Sequence, residues 1–290
     1  RKTDFFMLTV ILYLILMSLI VFMSAFFYVF KIIGSPPKGR AKQMLHQGRP
    51  QQGRVIACIG DSLTHGNIGV CWVEQLRQAF PNDHFLNEGI NGEVVWQVHQ
   101  RLDPILKCRP DVAIVLIGSN DAMGSIDSSS GERYKKSNKL PEVPTVENYK
   151  NSVALLLDRL QAVPSVALCT LPPVGEFPES PMNQHITYFN EFLKGIATQR
   201  NITLLNVSHA MWNNLQQRTY PATHDYESKV SILGQRIIGA CFKHYVFKKS
   251  WDTIAKSRGQ WLLFDQIHLG ERGAEVVKHL VANFITPKRR

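Results

Sequence analysis

With 290 residues, the chain is long enough for one hydrophobic core of ordinary domain size once a terminal segment is set aside. Five cysteines, an odd number without short spacings, exclude a small disulfide-framed scaffold. The formal net charge of +10 invites a nucleic-acid partner, but its placement excludes one: the excess sits at the two ends, and Val55 to Pro287 holds equal numbers of acidic and basic residues.

The first element in chain order is Phe5 to Phe30, 26 residues without charge, Pro or Gly. At roughly 1.5 Å per residue it extends about 39 Å, enough to cross a bilayer with some tilt. A cleaved signal peptide has a much shorter apolar core, so the run predicts a retained single-pass anchor, residues 1–33. A linker rich in Pro, Gly and Gln follows over 34–53. Lys31, Lys38, Arg40, Lys42, Arg49 and Arg54 lie in and around it with no acid between them. This flank predicts contact with anionic lipid headgroups, and by the positive-inside rule it places the following domain on the cytoplasmic or mitochondrial matrix side. The N-terminal Arg fits a trimmed precursor, for which the inner mitochondrial membrane is a compatible address. Two sequons, Asn201-Ile-Thr and Asn206-Val-Ser, point the other way, because they matter only in a secretory lumen.

From 54 to 290 short apolar runs alternate with helix-like stretches. Strands are expected at Val55–Ile59, His84–Asn87, Val112–Ile117, Val166–Thr170 and Ile202–Val207. Helices are expected at Val70–Phe80, Glu93–Leu102, Val146–Gln161, Met182–Gln199 and Ser208–Gln217. This alternation predicts an α/β fold with a parallel sheet covered on both faces and ligands outside the carboxyl ends of the strands. Asp121–Thr145 is polar and reads as a surface loop or partial lid. "LPPVGEFPES", Leu171 to Ser180, follows the fourth strand and is expected to line the acyl or alcohol pocket. An insertion at about 220–260 contains a further helix, on which Val230, Leu233, Ile237, Cys241 and Tyr245 recur at helical spacing. Its apolar face fits core packing, and equally a lip around the site or a second membrane-surface contact.

The chemistry gathers where strands end. "VIACIGDSLTHG" carries a buried strand straight into Ser62, which is either a helix cap or a nucleophile. An activated serine needs a base, and the base needs an acceptor on its other ring nitrogen. In "FDQIHLGERG", Asp265 stands three residues before His268, so one short turn can hold Nδ1 on the carboxylate while Nε2 faces the serine. A tetrahedral intermediate also needs donors aimed at its oxygen. Gly92 in "NEGINGE" can offer its N–H, and Asn120 in "VLIGSND" its side-chain amide.

Four motifs in this order, "GDSL", the glycine of "NG", "GSND" and "DQIH", resemble the SGNH or GDSL hydrolases, a family of serine esterases and lipases. The resemblance covers about Arg54 to Ile285. It implies a three-layer α/β/α, flavodoxin-like fold, with Ser62 as nucleophile, His268 as base and Asp265 as its partner. It further implies an oxyanion hole from the Ser62 N–H, the Gly92 N–H and Asn120, with no metal and no cofactor. An α/β-hydrolase is excluded by the absence of Gly-x-Ser-x-Gly, and a zinc hydrolase by the absence of ligand spacings. The function expected is a membrane-anchored ester hydrolase acting on an acyl or acetyl ester, such as a lysophospholipid or an acetylated glycan. The alternative is an accessory or structural subunit of a membrane complex that keeps the hydrolase fold.

Overall fold

The computed structural model describes residues 2–286. Arg1 and 287–290, with the basic Lys288, Arg289 and Arg290, lie outside the described residues, as do the side chains of Lys2, Asp4 and Val230.

Five parallel strands form one sheet: β1 (Val55–Gly60), β2 (His84–Gly89), β3 (Val112–Leu116), β4 (Ser165–Cys169) and β5 (Thr203–Leu205). Their order is β2-β1-β3-β4-β5, the flavodoxin-like arrangement, so the chain reverses direction of travel beside β1. The helices, in chain order, are α1 (Lys2–Gly34), α2 (Ala41–Gln47), α3 (Ser62–His65), α4 (Trp72–Ala79), α5 (Val95–Gln100), α6 (Asp103–Lys107) and α7 (Ser119–Ser125). They continue with α8 (Ser128–Asn138), α9 (Val146–Leu160), α10 (Pro181–Gln199), α11 (Val207–Leu215), α12 (Val230–Tyr245), α13 (Trp251–Lys256) and α14 (Glu271–Ile285).

Side-chain alternation along β1 separates two cores, because successive residues of a strand face opposite sides. Val55, Ala57 and Ile59 join a core with residues of α5, α9 and α10. Ile56 and Cys58 join another with residues of α4, α11 and α14. The sheet is therefore covered on both faces, the three-layer α/β/α fold that the alternation of elements predicts. A third, smaller core carries the insertion: Ala240 and Cys241 of α12 pack with Trp251, Ile254, Phe264 and Val29 of α1.

Two segments depart from their sequence reading. Asp121–Thr145 contains most of α7 and all of α8. "SSSGERYKKSN" has poor helix propensity and no apolar period, but the Asp127 side chain caps its first turn by accepting from the Ser130 N–H at 2.8 Å. The linker holds helix α2, with Ala41 buried, and it is tied to the sheet. Arg40 pairs with Glu88 at 2.9 Å, Arg49 with Asp111 at 2.8 Å and Arg54 with Asp83 at 2.5 Å. Three of the six basic residues expected to meet lipid are thus neutralised by the domain itself, which leaves Lys31, Lys38 and Lys42. Of the sequon asparagines, Asn201 is exposed, whereas the Asn206 side chain caps α11 by accepting from His209 N.

Helix α1 is long and apolar enough to cross a membrane. Its most apolar window has a mean hydropathy of 2.8 and no residue buried within the protein.

Candidate active site

Ser62 stands where β1 gives way to α3. The turn is tight: a side chain at Gly60 would come within 2.3 Å of the Leu116 carbonyl and of Thr64, so only glycine lets the strand end there. Asp61 then caps α3, accepting from the Leu63 N–H at 2.9 Å. Its buried carboxyl is pushed up to about 7 by burial, against the opposing pull of that N–H and of His268.

Asp265 and His268 lie on the loop before α14. The Asp265 carboxylate accepts from His268 Nδ1 at 2.7 Å through one oxygen, and from the Ile267 and His268 N–H groups at 3.0 and 2.7 Å through the other. Burial alone raises the Asp265 carboxyl, but the charge of His268 and these hydrogen bonds outweigh it and hold the group below the ordinary carboxylate range. On the other side of the ring, His268 Nε2 is 2.9 Å from Ser62 Oγ. The structure joins Ser62, His268 and Asp265 in one hydrogen-bonded chain, across 206 residues between serine and histidine. All three are buried.

The loop is forced into shape by its neighbours. Gln266 adopts φ 79°, which a side chain disfavours. It is held there from both sides: its N–H donates to Gln260 at 3.0 Å, and its carbonyl accepts from Gly175 N at 2.6 Å. Glu176, wholly buried, accepts from the N–H groups of Trp261, Leu262 and Leu263 at 2.7 to 3.0 Å. Leu171–Glu176 is therefore buried buttressing for the Asp265–His268 loop. Only its tail, Phe177 to Glu179, reaches the surface. An acid set between Val174 and Phe177 in a Pro-rich apolar stretch was the available sign that Glu176 would be buried and bonded.

Gly92 and Asn120 sit on the neighbouring strand ends. Gly92 has φ +77°, and a side chain there would meet only Asn138 Oδ1, at 4.0 Å, so the glycine is favoured by the left-handed backbone and not by crowding. Asn120 lies in the first turn of α7. Its Nδ2 donates to Glu93 O at 3.0 Å and to Asp61 Oδ2 at 3.3 Å, while its Oδ1 accepts from Tyr134 Oη at 2.9 Å. Tyr134 comes from α8, inside the segment read as a polar loop, and no periodicity in the sequence marked it. Asp121, next along, accepts from Val95 N at 3.1 Å and is raised to about 7 by burial.

Comparison with known proteins gives a consistent picture. The model of the GDSL-like lipase/acylhydrolase family matches residues 58–276. Among solved structures, a catalytic mutant of an acetylxylan esterase from Geobacillus stearothermophilus superposes with a TM-score of 0.56 at 18% identity, over 83% of this chain and 98% of that one. The unsubstituted esterase gives 0.57 at 18%, over 82% and 96%. An alpha/beta hydrolase enzyme from the metagenome of Lake Arreo, Spain, gives 0.54 at 18%, over 80% and 94%. These likenesses carry the fold. No match was found by sequence among curated proteins. The chain belongs to the GDSL-like lipase/acylhydrolase family and is a serine carboxylic-ester hydrolase.

Proposed function

We propose that this hydrolase uses Ser62, His268 and Asp265 as its catalytic triad and is anchored to a membrane by α1. The observation that carries the reading is the hydrogen-bonded chain Ser62 Oγ, His268, Asp265, at 2.9 and 2.7 Å. His268 Nε2 takes the proton of Ser62 as its Oγ attacks the ester carbonyl, and Asp265 holds the ring in the tautomer that leaves Nε2 free to accept. We assign the oxyanion's donors to the Ser62 N–H, the Gly92 N–H and the Asn120 side chain, whose amide gives up its hydrogen bond to Asp61 or to Glu93 O to serve it. Collapse expels the alcohol, protonated by His268, and leaves an acyl-serine. Water, deprotonated by the same imidazole, then releases the acid. A scaffold subunit has no use for a buried polar chain of this kind, whose desolvation must be offset by hydrogen bonds at every member.

The substrate class is an acyl or acetyl ester. An acetyl ester of a glycan is supported by fold likeness to an acetylxylan esterase, and a lipid ester by the apolar helix α1. The test is a panel of p-nitrophenyl esters from acetyl to long acyl, with Ser62→Ala as control. Hydrolysis in Ser62→Ala should fall to background while the melting temperature is unchanged. An undiminished rate would remove Ser62 from the mechanism.

A further inference from the structure

Helix α12 ends in an apolar turn that the hydrolase cores cover only in part. Its inner face is accounted for, since Ala240 and Cys241 are buried against Trp251 and Phe264, and Phe242 and Val246 pack half-buried against the same core. Phe247 lies outside it. The Phe242 ring stacks on Phe22 of α1, with centroids 6.2 Å apart and planes at 14°, and leans on Phe26 at 6.3 Å. Beyond it, Val246 and Phe247 face Leu14, Met17 and Val21 of α1 across an apolar groove of about 510 Å³. Phe247 is 68% exposed, more than any other large apolar side chain described outside α1. Lys243, one helical turn before it, and Lys248 and Lys249, next along the chain, are all exposed.

We propose that this turn, Phe242 to Lys249, is a second membrane contact, in which Val246 and Phe247 enter the leaflet beside α1 and the three lysines meet anionic headgroups. The inference rests on the reading of α1 as a membrane-spanning helix. Length supports it. A hydrocarbon core of about 30 Å takes about 20 residues of helix, and counted from Phe5 it ends near Ser24. Phe242 lies against Phe22 and Phe26, astride that edge, and Phe247 lies inside it.

The backbone permits insertion. Apolar surroundings penalise unpaired N–H groups, but in this turn Val246 and Phe247 donate to Phe242 O at 3.0 and 3.3 Å and Lys249 donates to Lys243 O at 3.0 Å. Lysine stems can run along the apolar surface and place their ammonium groups among lipid phosphates. The bilayer is thus the occupant that matches both the exposed Phe247 and the three exposed lysines near it in sequence.

Such a contact would fix how the site meets the membrane. At its other end α1 is tied to the site loops: Asn67 Nδ2 donates to the carbonyls of Ile32 and Ile33 at 2.9 and 2.8 Å, and Asn91, beside Gly92, donates to Ile33 O at 3.3 Å. A single helix leaves a domain free to tilt. With a second contact on α12, the Ser62 mouth is held at one height and one orientation over the leaflet.

The experiment uses the full chain in vesicles of phosphatidylcholine with phosphatidylglycerol. Leu12→Cys on α1, Phe247→Cys on the turn and Tyr188→Cys on α10 are each labelled with the fluorophore NBD and quenched by doxyl-labelled lipid. Four of the native cysteines are buried and Cys71 is half-buried, so the unsubstituted chain labelled in parallel gives the background. Quenching at positions 12 and 247 is expected to be at least fivefold that at 188. Quenching at 12 with position 247 as unquenched as 188 overturns the inference and leaves the anchor standing. Absence of quenching at all three positions overturns the anchor and, with it, the inference.

Discussion

The carboxyl ends of the sheet and helix α1 are stabilised in opposite ways. At the strand ends polar groups are buried: Asp61, Ser62, Asn120, Asp265 and His268 all have 6% exposure or less, and each finds a hydrogen-bond partner. In α1 apolar groups are left outside, and its most apolar stretch buries nothing in the protein. Burying a polar group is costly unless it is bonded, so the first region is tolerable only as a complete network. Exposing some twenty apolar side chains to water is equally unfavourable, which fits the bilayer we propose around the second region. One region is explained by what the protein supplies, the other by what its surroundings must supply.

The sharpest way to break the comparison is to remove one member of the network while keeping its shape. Asp265→Asn preserves the volume but favours the wrong ring tautomer of His268, and the rate of ester hydrolysis should fall about 10⁴-fold with KM little changed. A loss below tenfold would mean that Asp265 only shapes the loop. Asn120→Ala removes one of the donors we propose for the oxyanion and should lower kcat by about 10²- to 10³-fold. If KM rises instead and kcat holds, Asn120 contacts the ground state.

Stability gives the comparison its second test. Ile114, wholly buried in β3, should cost about 2 to 5 kcal/mol when cut to Ala. Leu16→Ala in α1, at a position 53% exposed, should leave the domain's unfolding free energy within about 0.5 kcal/mol. Denaturant unfolding in detergent, followed by tryptophan fluorescence, compares the two. Equal losses would show that α1 is part of the folded core.

The smallest effect concerns pH. Asp121 has its carboxyl raised to about 7 by burial, with a further upward push from the charge of Asp61. A raised carboxyl keeps a proton in the folded state that the unfolded chain has already released. Its contribution is therefore complete below about pH 4, drains away as pH climbs towards 7, and is level above that. Asp61 adds a loss of the same sign, whereas Asp265, held low, contributes above the ordinary carboxylate range and loses its share only in acid. In Asp121→Asn the fall in melting temperature between pH 5 and pH 7.5 should be shallower than in the parent. An identical slope would place the titration elsewhere.

Much of this was legible along the chain. The unbroken apolar run of Val55 to Ile59 and the longer helical periods announced the layers, and a serine, a glycine, an asparagine and an Asp-x-x-His pair marked strand ends as places for chemistry. These signals are local: a strand's apolar run, or the three-residue step from Asp265 to His268, lies within a few covalent steps. Helix α8 escaped because its stability comes from one capping aspartate and from contacts with the site, neither of which leaves a period in the sequence. The three arginines among the six basic residues in and around the linker, with no acid nearby in sequence, found their partners Glu88, Asp111 and Asp83 only in space.

The parallel α/β layering, the candidate side chains for the chemistry we propose and a helix long and apolar enough for a bilayer could all be read along the chain, because each is written in neighbouring residues. Tertiary structure decided the rest. It brought His268 within 2.9 Å of a serine 206 residues away, set Glu176 beneath the loop that carries it, and laid the end of α12 against α1. Those pairings depend on how the helices close over the two faces of the sheet, and contacts between residues so far apart along the chain become favourable only once the fold has met the entropy of bringing them together.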